Sequence, residues 1–144
     1  MRKILFFLIS AAITLACASA TCRATGVKIT VVYGERATAV ERNAAGELAK
    51  DISRVCGADV KTVSEKSAAA TRNKGMIFIV GTAETNKSIK ALASMGKMKI
   101  STADPGPEAF VIQPFPAKNT VVIAGADARG VLYGAYEYSN RFLG

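Results

Sequence analysis

Apolar positions recur along this chain with two periods, and the switches between them lay out the elements. Residues 27–33 (VKITVVY) put Ile29, Val31 and Tyr33 on one side at a period of two and are rich in β-branched side chains, which predicts a half-buried strand ending at Gly34. Thr38-Ala-Val-Glu41 follows as a capping box, in which a hydroxyl and a carboxylate satisfy backbone N–H groups at a helix start. Val40, Ala44, Leu48, Ile52 and Val55 then recur at helical spacing until Gly57 supplies the stop. Residues 58–64 (ADVKTVS) read as a second strand, and a polar, basic loop leads to residues 76–80 (MIFIV), a continuous apolar run typical of a central strand.

Gly81-Thr82 marks the exit from that strand, and a helix is expected from about Glu84 to Met95 with Ile89 and Leu92 inward and Gly96 as its stop. Residues 102–107 (TADPGP) form a turn-rich loop. Two strands, Glu108 to Gln113 and Thr120 to Ala124, flank Phe115-Pro-Ala-Lys-Asn119 in the manner of a hairpin. A last helix opens near Asp127 as N-cap and carries Val131, Leu132, Ala135, Tyr138 and Phe142. The order β-α-β-β-α-β-β-α, with hairpin-like pairs between helices, predicts an α+β fold: a mixed, mainly antiparallel sheet with helices on one face.

The N-terminus changes this picture by shortening the folded part. Arg2 and Lys3, an apolar run from Ile4 to Ala16 and Ala18-Ser19-Ala20 follow the order of an export signal, with cleavage expected after Ala20. A lipidated cysteine at position 17 or 22 would want a leucine-like residue three places earlier, where Thr14 and Ser19 stand. Of 144 residues, 124 then remain: a tail over 21–26 and one domain over 27–144. The net charge of +8 falls to +6, spread without a dense run or interleaved aromatics, which argues against nucleic acid as a partner. Cys22 and Cys56 are left as candidates for one disulfide in an oxidising compartment.

The chain contains no histidine, which removes Ser-His and Cys-His nucleophile activation and the commonest metal ligand together. The remaining candidates are partial. Gly81-Thr-Ala-Glu-Thr-Asn-Lys87-Ser88 sits where a phosphate-cradling loop would, but Asn86 replaces its second glycine. Glu108 and Glu137 could form a carboxylate pair for glycoside hydrolysis, and neither lies in a motif that sets a separation or raises a pKa. Tyr133, Tyr136 and Tyr138 could offer sugar platforms, with core or interdomain packing the simpler account. Gly130 and Gly134, one turn apart behind Ala126, make a smooth helical stripe suited to close approach of a sheet or a neighbour. No cofactor and no metal is implied.

One stretch is familiar: Gly106-Pro-Glu108-Ala-Phe110-Val-Ile112, then Val121-Val-Ile-Ala-Gly125-Ala-Asp127-Ala-Arg129-Gly130-Val-Leu-Tyr133-Gly134-Ala-Tyr136-Glu137. It resembles the N-terminal domain of bacterial α-glucuronidases, which is similar in fold to the second domain of β-N-acetylhexosaminidases. Glu47-Leu48-Ala49, Gly57 and Ile77-Phe-Ile-Val-Gly81-Thr82 agree with it, and Ala109 departs from it where the family commonly has glycine. The resemblance implies a non-catalytic domain of a secreted polysaccharide-degrading enzyme, preceding a (β/α)₈ barrel that holds the acid and base. It implies that Gly130, Gly134, Tyr133 and Tyr138 pack against that barrel, and that no catalytic residue lies in this chain. A free-standing module binding a polysaccharide or an envelope partner is the alternative.

Overall fold

A computed structural model describes residues 26–67 and 75–144. The expected export signal, the cleavage site expected after Ala20 and Cys22 lie outside the described residues. The elements run β1 (Lys28–Tyr33), α1 (Ala39–Cys56), β2 (Asp59–Ser64), β3 (Met76–Gly81), α2 (Lys87–Ser94), β4 (Phe110–Phe115), a 3₁₀ turn (Pro116–Lys118), β5 (Thr120–Gly125), α3 (Ala128–Tyr138) and a π-helical turn (Ser139–Leu143). This is the order that the hydrophobic pattern predicts.

The caps explain the boundaries. Thr38 accepts from the Glu41 amide at 3.3 Å while Glu41 accepts from the Thr38 amide at 2.6 Å, so both halves of the predicted box are made. Gly57, with φ of 63°, closes α1 in the left-handed conformation. The second helix starts at Lys87, three residues later than expected, because Asn86 is its N-cap.

The five strands form one sheet in the order β2-β1-β3-β5-β4. β1 pairs in parallel with β2 and β3, β3 in parallel with β5, and only β4 and β5 run antiparallel, as the predicted hairpin. The expected antiparallel majority is therefore corrected: the α+β class and mixed sheet stand, and the sheet is mostly parallel. The misleading feature is the segment between β2 and β3. Its eleven residues, 65–75, can extend to about 36 Å, far beyond a strand of about 20 Å, so the chain can return to the starting edge instead of turning back beside β2.

The placement of helices on one face is corrected as well. α1 and α3 lie on one side, where Leu48, Ile52, Val131 and Ala135 pack on Ile29, Val31, Phe78, Val80 and Ile123. α2 lies on the other, where Ile89 joins Met98, Ile100, Val122 and Ala124. The physical reason is written in β3 and β5: both carry apolar side chains in both directions, so both faces need cover. Among the described residues no helix is long and apolar enough to cross a membrane.

Ile89 is the fully buried anchor of α2. Ile89→Ala is expected to destabilise the fold by about 2–4 kcal/mol in urea unfolding; a loss below about 0.5 kcal/mol would mean that α2 is not seated on the sheet.

Candidate functional site

β1 leads into α1 on one face, and its neighbour β3 leads into α2 on the other. The loops leaving these two strands consequently diverge, and the gap between them is where open α/β sheets place ligands. Here Gly34–Thr38 and Thr82–Asn86 border a crevice with lobes of about 640 and about 300 Å³, both lined by Arg36, Glu84, Thr85 and Lys90.

The polar groups of this crevice are largely engaged with one another. Glu35 is held by Lys87 at 2.8 Å and Lys66 at 3.4 Å, and these ammonium groups keep its carboxyl below the usual range. Glu65, at the exit of β2, accepts from the Glu35 amide at 3.0 Å and the Lys87 amide at 2.9 Å. Arg36 donates its guanidinium to the Glu84 carbonyl. Beneath them, Glu41 is fully buried and also accepts from the Thr85 hydroxyl, whose oxygen lies 3.0 Å from that of Thr82. One carboxylate thus fastens the start of α1 to the loop after β3.

This settles the loop from Gly81 to Ser88. The amides at the start of α2 that a phosphate would need are taken: Asn86 Oδ1 accepts from Ser88 at 3.0 Å and Ile89 at 3.2 Å, and Glu65 occupies the Lys87 amide. Asn86 Nδ2, by contrast, is buried with no protein partner.

At the opposite edge, Asp127 caps α3 through Gly130 N at 2.8 Å and also accepts from Glu108 N at 3.0 Å; these two backbone donors lower its pKa. Ala126 N donates to Ala109 O at 2.8 Å, and a Cβ at Gly130 would stand 2.2 Å from the same carbonyl. A Cβ at Gly134 would meet Ile123 at 2.9 Å and Phe110 at 3.2 Å. The glycine stripe thus lets α3 lie close against the domain's own Glu108–Ala109 loop and sheet. Arg129 pairs with Glu108 at 2.8 Å. The unusual backbone of this loop falls on Glu108, with φ of 62°, rather than on Ala109, so alanine is accommodated there.

The other candidates are dispersed. Glu108 and Glu137 each have their own arginine, Arg129 and Arg141 at 3.1 Å, and are not brought together as a pair. Glu35, Asp51 and Asp127 are all shifted down, opposite to the direction a general acid requires. Tyr138 turns inward, its ring edge-on to Phe78 at 5.2 Å, and burial pushes its phenol pKa up. Tyr133 and Tyr136 remain 44% and 46% exposed and Phe142 56%. Cys56 is half-buried at the end of α1. Among the described residues no cluster of three His, Cys, Asp or Glu side chains could hold a metal. The Glu41–Thr85 and Glu65–Lys87 links escaped the sequence, because partners 44 and 22 residues apart share no local pattern.

Residues 14–138 match the family model for the glycosyl hydrolase family 67 N-terminus. The chain belongs to this family. As a glycosyl hydrolase family 67 N-terminal domain, it shares its fold with domains in much longer enzymes. One is a family GH115 4-O-methyl-α-glucuronidase with specificity for decorated arabinogalactans, at TM-score 0.58 and 24% identity over 80% of this chain and 13% of that one. Another is a GH138 enzyme targeting pectin rhamnogalacturonan II, at TM-score 0.54 and 15% identity over 79% of this chain and 13% of that one. The chain thus spans about an eighth of each of these solved structures. A search of the curated proteins gives no match.

Two substitutions test the clamp around α3. Gly130→Ala, which drives a methyl into the Ala109 carbonyl, is expected to cost at least about 1–3 kcal/mol by chemical unfolding. Because the folded-state pKa of Asp127 is depressed, its contribution is present above the ordinary value near 3.8 and lost as pH falls through the lower folded value. Asp127→Asn should therefore flatten the dependence of Tm on pH below about pH 4; an unchanged acid limb would remove Asp127 from that role.

Proposed function

We propose that this chain is the exported, non-catalytic N-terminal module of a polysaccharide-degrading glycoside hydrolase. The preferred parent is α-glucuronidase-like and removes side chains from glucuronoxylan. The family match over residues 14–138 carries this reading. The carboxylates support it, since those at the crevice and at the start of α3 hold loops together and leave no pair poised as acid and nucleophile. In this reading the acid and base belong to a (β/α)₈ barrel, and the exposed Tyr133 and Tyr136 of α3, with Phe142 in the turn that follows, offer apolar surface suited to docking it.

Two measurements test the proposal. The full-length chain incubated with glucuronoxylan oligosaccharides should release no glucuronic acid; turnover that disappears in Glu108→Gln or Glu137→Gln would overturn the non-catalytic role. Mass spectrometry of the exported protein should find Thr21 at its N-terminus, and an intact Met1 would overturn the signal.

A further inference from the structure

α2 is only eight residues long and covers the second face of the sheet incompletely. Between it and the strands lies a cleft of about 290 Å³ with an apolar floor of Ile79, Leu92, Phe115 and Val122 and a largely exposed Met95 at its side. Room of this size corresponds to roughly ten water-sized groups at about 30 Å³ each. The polar lining is one-sided. Lys97 and Lys118 stand exposed among its lining residues, and among the described residues no carboxylate lines the cleft. Neither lysine side chain has an ion-pair or hydrogen-bond partner among the described residues. The backbone that carries them is fixed, because the Lys97 amide donates to the Leu92 carbonyl at 2.9 Å and the Thr120 hydroxyl to the Lys118 carbonyl at 2.9 Å.

We propose that this cleft binds a small amphiphilic carboxylate, an aromatic ring or short alkyl body bearing one carboxylate group. The body would displace water from the apolar floor, with the Met95 thioether and the Phe115 ring suited to an aromatic face. The carboxylate would take the two unpaired ammonium groups, the one charge that the cleft offers and does not itself satisfy. A bare sugar fits less well, since among the described residues Ser88 and Thr120 are the only other polar ones in the lining and no side-chain amide or carboxylate is present to bracket hydroxyl groups. The site is independent of the accessory role proposed above, so either can fail alone.

The test uses 3-phenylpropanoate as probe and its neutral counterpart 3-phenylpropan-1-ol, followed by methyl NMR of the full-length chain. Saturable shifts are expected at the Ile79, Leu92 and Met95 methyls, with the carboxylate bound about fivefold to tenfold more tightly than the alcohol. Lys97→Gln combined with Lys118→Gln should abolish that difference while leaving the alcohol's affinity unchanged. Met95→Ser, at an exposed position that spares the fold, should weaken both ligands. No saturable shift at these methyls, equal binding of acid and alcohol, or a difference that persists in the double variant would each overturn the proposal.

Discussion

Parallel pairing leaves a sheet with strands that are apolar in both directions, and such strands are stable only when both sides are covered. β3 and β5 set this requirement here. Phe78, Val80, Val121 and Ile123 need α1 and α3, while Val122 and Ala124 need α2 and the segment carrying Met98 and Ile100. Three features follow from this constraint: the helices divide between the faces, the loops after β1 and β3 part company, and a crevice opens between them. The second face, served by one short helix, keeps a cleft with an apolar floor beside that helix.

The crevice is a place where many α/β proteins bind a ligand, and this domain fills the corresponding bonds with its own side chains. Glu65 takes the position an anion would have at the start of α2, Glu41 lies buried beneath, and Asn86 occupies two further amides. Such substitutions convert a binding geometry into a fastening between β1, α1, β3 and α2. A buried carboxylate with a backbone amide and a hydroxyl on it is costly to remove, because both donors would be left unsatisfied.

Local order was legible in the sequence wherever it depended on neighbours a few residues apart. The capping box of α1, its glycine stop, the Asp127 cap and the hairpin of β4 and β5 all follow from adjacent residue types. Strand direction was not legible, because it depends on where the 65–75 connection carries the chain and not on what either strand contains. The double apolar character of residues 76–80 was visible and pointed to a central strand, yet its implication of helices on both faces was outweighed by the hairpin-like pairs. At the glycine stripe the sequence correctly signalled close approach, and left open whether a sheet or a neighbour approached.

That stripe bears on how relatives of this domain can diverge. Gly130 and Gly134 leave no room for a methyl, and Asp127 grips two backbone donors, whereas Arg129 and Tyr133 beside them are exposed. A descendant could exchange every solvent-facing side chain of α3, and with it any affinity that helix has, without disturbing the joint to β4. Change in recognition and preservation of architecture are thus assigned to different residues of a single helix. Gly130, Gly134 and Asp127 record a way of packing, and say nothing of what the outer surface of the helix meets.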